Sequence, residues 1–154
     1  MAKPRIAPGL TLAEVEYIAF RLAEEKLAFD EPIPPFSTRY PNILESCLAT
    51  PFQRFYGITA YRSLYAKSSI LFYLLIKNHP FQNGNKRIAV TTLLVFLHQH
   101  NKWLNTTLEE LYKLTKWVAE SDPKNKDFVI MAVEAYIKKR ISAWSGREKN
   151  SQAT

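Results

Sequence analysis

The chain has 154 residues, 47% of them hydrophobic and 13% aromatic, with a formal net charge of +7. That is the size of one domain with some length to spare at its ends, and the apolar content excludes a disordered chain. The single cysteine, Cys47, excludes an internal disulfide framework; with no metal-ligand partner nearby it reads as a small buried hydrophobe in a reducing cytosol.

Residues 1–10 read as an extended lead-in, broken at Pro8-Gly9 and without a targeting signal. Thr11-Leu-Ala-Glu14 is a capping box that opens a helix to about residue 29, with Val15, Ile18, Ala19 and Leu22 on its apolar face. The prolines of DEPIPPFSTRYP enforce a loop, and NILESCLAT makes a short helix that stops before Thr50-Pro51. PFQRFYGITA, with β-friendly aromatics around Gly57, predicts a loop or a small hairpin. A long helix follows over about 61–78, where Lys77 and Asn78 read as a solvated helix end and a C-cap, and His79-Pro80 stops it.

The next helix spans 85 to about 99. Val90, Leu93, Leu94 and Leu97 follow the i, i+3, i+4, i+7 spacing, and Ile88, Ala89, Val95 and Phe96 fill its other faces. Apolar nearly all round, it is the expected central helix. A second capping box, Thr107-Leu-Glu-Glu110, opens a helix to about 120, and after SDPKN a last helix covers about 127–144. The expected architecture is one all-α domain over 1–144, a helical bundle around a buried central helix with at most one short β-hairpin, followed by a disordered polar tail over 145–154.

The longest apolar run, 88–97, is about half of what crosses a bilayer, so a soluble cytoplasmic protein is expected, with no membrane partner. The basic residues are scattered, and their one concentration, KKRISAWSGREK, reads as the solvated end of an amphipathic helix rather than a nucleic-acid surface. His98 and His100, at i and i+2, point to different sides of a helix and make a poor metal pair. Trp103, Tyr112, Trp117 and Tyr136 sit on helical stripes and read as core.

The chemistry lies in the loop HPFQNGN, set directly before the buried helix. The first amides of a helix lack internal partners and lie at the positive end of its dipole, which makes an anion site suited to phosphate. Gly84 lets the backbone approach an anion closely or take positive φ. Asn85 caps the helix or bonds a phosphate oxygen, Lys86 and Arg87 add charge, and Arg87 can grip two oxygens at once. His79, on the opposite lip, has the proton affinity to deprotonate a hydroxyl that attacks phosphorus. Pro80 stiffens the corner, and Phe81 turns inward as an apolar anchor. No GxxxxGK[ST] loop or Asp-Phe-Gly signature is present.

HPFQNGNKRIA resembles the signature of the Fic/Doc family: His-Pro-Phe, a variable residue, an acidic residue or Asn, Gly or Ala, Asn, Gly or Lys, then Arg. The similarity extends through ILESCLATP, FYG, KNHPF and Phe96-Leu97 to about residues 42–104. The resemblance implies an all-helical fold and transfer of part of ATP onto a protein hydroxyl. It makes His79 the base, with Lys86 and Arg87 in the catalytic set, and Gly84, Asn85, Lys86 and Arg87 the phosphate-binding residues. Lys86, where AMP-transferring members carry a second Gly, is similar to the death-on-curing branch, in which the γ-phosphate moves. Asn83 stands where a carboxylate usually holds Mg²⁺ and offers only a neutral oxygen. The resemblance also places a target-binding flap at Ala49, Thr50 and Pro51. Because the family's restraining Ser/Thr-x-x-x-Glu-Gly/Asn pattern is absent, it implies a separate, acidic antitoxin as partner. The expected target is a cytoplasmic protein, in the translation machinery on one reading.

Overall fold

Thr11 is the N-cap of the first helix: its hydroxyl accepts the Glu14 N–H at 3.1 Å, and its own N–H donates to Glu14 Oε1 at 2.8 Å. The computed structural model describes residues 9–26 and 33–144; the expected tail, most of the lead-in and the first helix's expected end near residue 29 lie outside the described residues. From the cap, α1 (Leu12–Glu14) runs into a π segment (Val15–Phe20) and then α2 (Arg21–Lys26). A π turn takes up more residues than an α turn, so it rotates everything after it. Val15, Phe20 and Ala23 are therefore the buried residues, while Leu22, expected on that face, is 37% exposed. The side chains of Ile18 and Ala19 lie outside the described residues.

A 3₁₀ turn (Phe36–Thr38) leads to α3 (Pro41–Ala49), and a second (Thr50–Phe52) follows it. β1 (Arg54–Phe55) and β2 (Ile58–Thr59) pair antiparallel around Tyr56-Gly57. Both turn residues have positive φ, 53° and 78°, as a two-residue type I′ turn requires. The anticipated hairpin exists.

α4 (Leu64–Lys77) and α5 (Asn85–Gln99) pack against each other in the middle of the molecule. In α4 every residue over 68–76 is buried, so the centre is a helix pair rather than α5 alone. Ser68 and Ser69 tolerate this because their hydroxyls donate to the Leu64 and Ala66 carbonyls of their own helix. α6 (Leu108–Glu120) packs against α4 and α5, and α7 (Lys126–Arg140) against α4.

Two local expectations are corrected here. Lys77 is not a solvated end: its ammonium donates to the Ala119 and Ser121 carbonyls, at 3.3 and 2.6 Å, and so caps the C-terminus of α6. Thr107 does accept the Glu110 N–H at 3.0 Å, but the Glu110 carboxylate takes the Thr106 hydroxyl at 2.9 Å and leaves the box half closed.

The last helix is also shorter than expected. It stops at Arg140, and β4 (Ile141–Ala143) turns extended to pair antiparallel with β3 (Lys102–Leu104). The pairing continues through Trp144 N–H to the Asn101 carbonyl at 2.8 Å, and Trp103 and Trp144 meet at 5.3 Å between ring centres. Trp103 thus lies on a strand, and with Trp117 it stays substantially exposed, at 36% and 42%. The architecture is otherwise the expected all-α bundle, with two small two-stranded sheets among the described residues.

Candidate active site

α4 ends with Asn78 as its C-cap, and the chain then reverses at His79, whose φ is +49°. A non-glycine residue pays about 1–2 kcal/mol for that left-handed conformation. Neighbouring contacts hold it there. Pro80 is buried and its carbonyl accepts the Tyr40 N–H at 2.8 Å, tying the corner to the start of α3. Phe81, only 4% exposed, packs into an aromatic cluster with Phe20 and Phe36 at centroid distances of 6.0 and 5.8 Å. Phe20 comes from the π segment, so the register shift in the first helix supplies the loop's backing.

The other side of the loop is closed by Asn85. Its Oδ1 accepts the Phe81 N–H at 2.9 Å, and its Nδ2 donates to the Phe81 carbonyl at 2.8 Å. One side-chain amide thereby satisfies both backbone groups of a buried residue, as a neighbouring strand would. The same Nδ2 lies 3.5 Å from His79 Nδ1, a long contact that orients the imidazole without holding it tightly. Asn85 was read as a helix cap or a phosphate ligand. The N-cap is Gly84 rather than Asn85, and the Asn85 amide bonds both backbone groups of Phe81.

Gly84 has φ +78°, and a Cβ there would stand 2.9 Å from Ile33 Cγ1. Both the conformation and the packing exclude a side chain. Its N–H is met by Asn83 Oδ1 at 2.8 Å, and its carbonyl accepts the Ile88 N–H at 2.9 Å to begin α5.

Around this turn lies a cavity of about 200 Å³, lined by His79, Asn83, Gly84, Asn85, Lys86 and Arg87 from the loop and helix start, with Tyr112 and Ala119 from α6. The structure therefore brings together His79, Gly84, Asn85, Lys86 and Arg87, the set singled out in the sequence. Arg87 is 3% exposed, while Lys86 and His79 are exposed. Buried positive charge beside a helix N-terminus gives the cavity the electrostatics of an anion site.

The donor set does not fit a protein-held metal. Asn83 supplies a neutral oxygen already accepting the Gly84 N–H, no lining residue is a carboxylate, and no group of three His, Cys, Asp or Glu side chains gathers among the described residues. A divalent ion would have to arrive on the oxygens of a bound triphosphate.

Three other expectations fall outside the cavity. Ala49 ends α3 and is exposed, Thr50 turns its hydroxyl back to the Ser46 carbonyl at 2.7 Å, and Pro51 is buried. The exposed ribbon lies just downstream, where Phe55, Tyr56 and Ile58 are all more than half exposed. His98 meets the Trp144 ring and His100 the Phe96 ring and carbonyl, in separate environments. Cys47 is fully buried, as expected, and burial raises its thiol pKa to about 11 despite a side-chain hydrogen bond with Asn78.

One lining residue was missed. Tyr112, read as core, is only half-buried and forms a wall of the cavity. Leu108, Tyr112 and Lys116 are spaced i, i+4, i+8, a stripe too mixed in polarity to be wholly core.

Comparison with known proteins agrees with this picture. The Fic/DOC family profile matches residues 9–97. A protein called Toxin Doc from Mycolicibacterium smegmatis is 38% identical over 57 residues, which are 37% of this chain and 44% of that protein. The chain thus spans less than half the length of that curated relative. No solved structure matches.

Proposed function

The chain belongs to the Fic/DOC family, and from that membership and its loop geometry we propose that it is a Doc-like protein transferase of a toxin–antitoxin system. It moves the γ-phosphate of ATP to a Ser or Thr hydroxyl of a cytoplasmic target protein, and a separate antitoxin restrains it. The observation that carries this reading is a single cavity faced by both His79 and the α5 N-terminus with Arg87 and Lys86.

The triphosphate lies against the Lys86 and Arg87 cations and the first amides of α5. An imidazole nitrogen of His79 takes the proton of the acceptor hydroxyl. The acceptor oxygen forms the new bond to the γ-phosphorus, the bond from that phosphorus to the β–γ bridging oxygen breaks, and its electron pair leaves with ADP. Lys86 and Arg87 stabilise the charge that moves onto the phosphate oxygens. His79 keeps the proton until solvent removes it. Mg²⁺, where required, is carried by the nucleotide.

A second reading has one contact in its favour. Asn83 Oδ1 engages the Gly84 N–H, an amide that an anion at this turn would compete for. That suits a nucleotide- or protein-binding module with little turnover, and AMP transfer is the corresponding alternative among active readings.

The test uses ATP labelled on the γ-phosphate, Mg²⁺ and bacterial lysate, with wild type or His79→Ala. A labelled protein band that requires His79 is the expected result. If folded protein yields no such band, phosphate transfer is wrong; an α-label then separates AMP transfer from the binding module.

A further inference from the structure

Lys67 gains nothing from its own helix. It is the fourth residue of α4, near the positive end of the helix dipole, where a cation is disfavoured. No Asp or Glu occurs between Glu45 and Glu109, so the acceptors offered by its own stretch of chain are backbone carbonyls. The ammonium reaches back beyond the helix start and donates to the Tyr61 and Arg62 carbonyls, the second at 3.3 Å. The same Nζ stands 5.9 Å from the centre of the Phe52 ring. Phe52 in turn meets Phe96 of α5 edge-on, at 6.1 Å between ring centres.

These partners bracket the β1–β2 ribbon: Phe52 precedes β1 and Tyr61 follows β2. The Ala60 N–H closes the base by donating to the Gln53 carbonyl at 3.0 Å. An isolated two-stranded hairpin is marginal in water. This one has two residues in each strand and an exposed apolar tip, so its order comes from its feet, and Lys67 touches both. Burial lowers the Lys67 pKa from its ordinary value, the cost of turning the charge from solvent to this contact.

The pin is remote from the candidate active site. Lys67 and His79 lie at opposite ends of α4, roughly 18 Å apart at the helical rise of about 1.5 Å per residue. A folded acceptor covers both points at once. Arg54 and Arg62, both exposed, flank the ribbon's apolar tip and match a negatively charged surface.

We infer that Lys67 is a positioning residue: it pins both feet of the ribbon and so preorganises a docking point for an acidic face of a folded acceptor protein, at the end of α4 remote from His79. The inference rests on the phosphate-transfer reading and adds to it a contact outside the reacting groups.

The experiment compares wild type, Lys67→Met and Lys67→Arg as full chains. Amide exchange is followed by NMR, and labelling from γ-labelled ATP is followed across a dilution series of bacterial lysate. Lys67→Met is expected to speed exchange of the Ala60 amide by about 5- to 30-fold, with the amides of α5 unchanged. The lysate concentration that gives half-maximal labelling rises by up to that factor, while the rate at saturation and the calorimetric affinity for ATP stay the same. Lys67→Arg keeps the charge and restores both readouts. Unchanged Ala60 exchange, or faster exchange throughout the chain, overturns the pin. Faster Ala60 exchange with unaltered labelling leaves Lys67 a structural role only and overturns the docking point. So does an effect that vanishes in nuclease-treated lysate, which would make the ribbon's occupant a nucleic acid. If wild type labels no protein, phosphate transfer itself is wrong and the docking role falls with it, while Ala60 exchange still decides the pin.

Discussion

The sharpest consequence of the loop geometry concerns Asn85. A phosphate ligand on an open surface can be removed without affecting folding; a side chain that satisfies buried backbone groups cannot. Asn85 is 9% exposed and Phe81 4%, and the two hydrogen bonds between them, at 2.9 and 2.8 Å, engage both backbone polar groups of Phe81. Asn85→Ala leaves an N–H and a C=O unpaired, at about 1–3 kcal/mol each where water cannot reach. Partial rescue by water entering the vacated space lowers the total, so about 2–4 kcal/mol is expected. For a domain of this size that corresponds to roughly 4–16 °C in Tm. Urea unfolding followed by tryptophan fluorescence, with an unchanged m value, measures it. Asn85→Asp sharpens the test. Its carboxylate still accepts the Phe81 N–H but faces the Phe81 carbonyl with no proton to give. A protonated carboxyl can donate to that carbonyl, so this variant's deficit shrinks as the pH falls through the carboxyl's titration. Stability of Asn85→Ala within about 0.5 kcal/mol of wild type, the range of ordinary surface substitutions, would refute the clamp.

Gly84→Ala combines the strain of a left-handed alanine with a Cβ 2.9 Å from Ile33 Cγ1; about 2–4 kcal/mol of destabilisation is expected by urea unfolding, and a neutral result would mean that this turn adjusts freely. Lys77→Met removes the ammonium that caps α6 at Ala119 and Ser121. It is expected to cost about 1–2 kcal/mol and to speed amide exchange in the last turn of α6, whereas unchanged exchange there would show the cap to be inert. The Cys47 thiol, raised from its ordinary value of 9.0 to about 11 by burial, is protonated in the folded state at a pH where the unfolded chain already ionises. Its contribution to stability is therefore full below about pH 9 and lost as the pH rises through about 11. The stability gap between wild type and Cys47→Ala should narrow over that window, and a constant gap would place the thiol in a solvated environment.

What could be read in advance follows the range of the forces involved. The Thr11 and Thr107 caps, the Gly84 turn and the stop after Lys77 all depend on residues within four positions, and they stand where the sequence put them. The two-residue hairpin at Tyr56-Gly57 is local in the same sense. β3 and β4 are not. KWL and ISA show no strand signal of their own and become strands because the fold carries residues 37 to 41 positions apart into register. Lys77 likewise needed knowledge of where α6 ends, over 40 positions away.

The partners of loop residues were only partly legible for a related reason. Residue type told that Asn85 would bond something polar, but both its partners belong to Phe81, four residues back, in a turn whose shape depends on distant support. That support is Phe20, delivered to the Phe81 ring by the π segment of the first helix. In a regular α-helix, burial of Val15 would direct residues 18, 19 and 22 inward, and Phe20 would turn away from the loop. The π insertion thus makes the geometry of the His79–Arg87 turn depend on the packing of the N-terminal helix, although no described residue of that helix lines the cavity. A register change in this one helix would withdraw an aromatic ring from behind Phe81, loosening the turn that holds His79 opposite the start of α5.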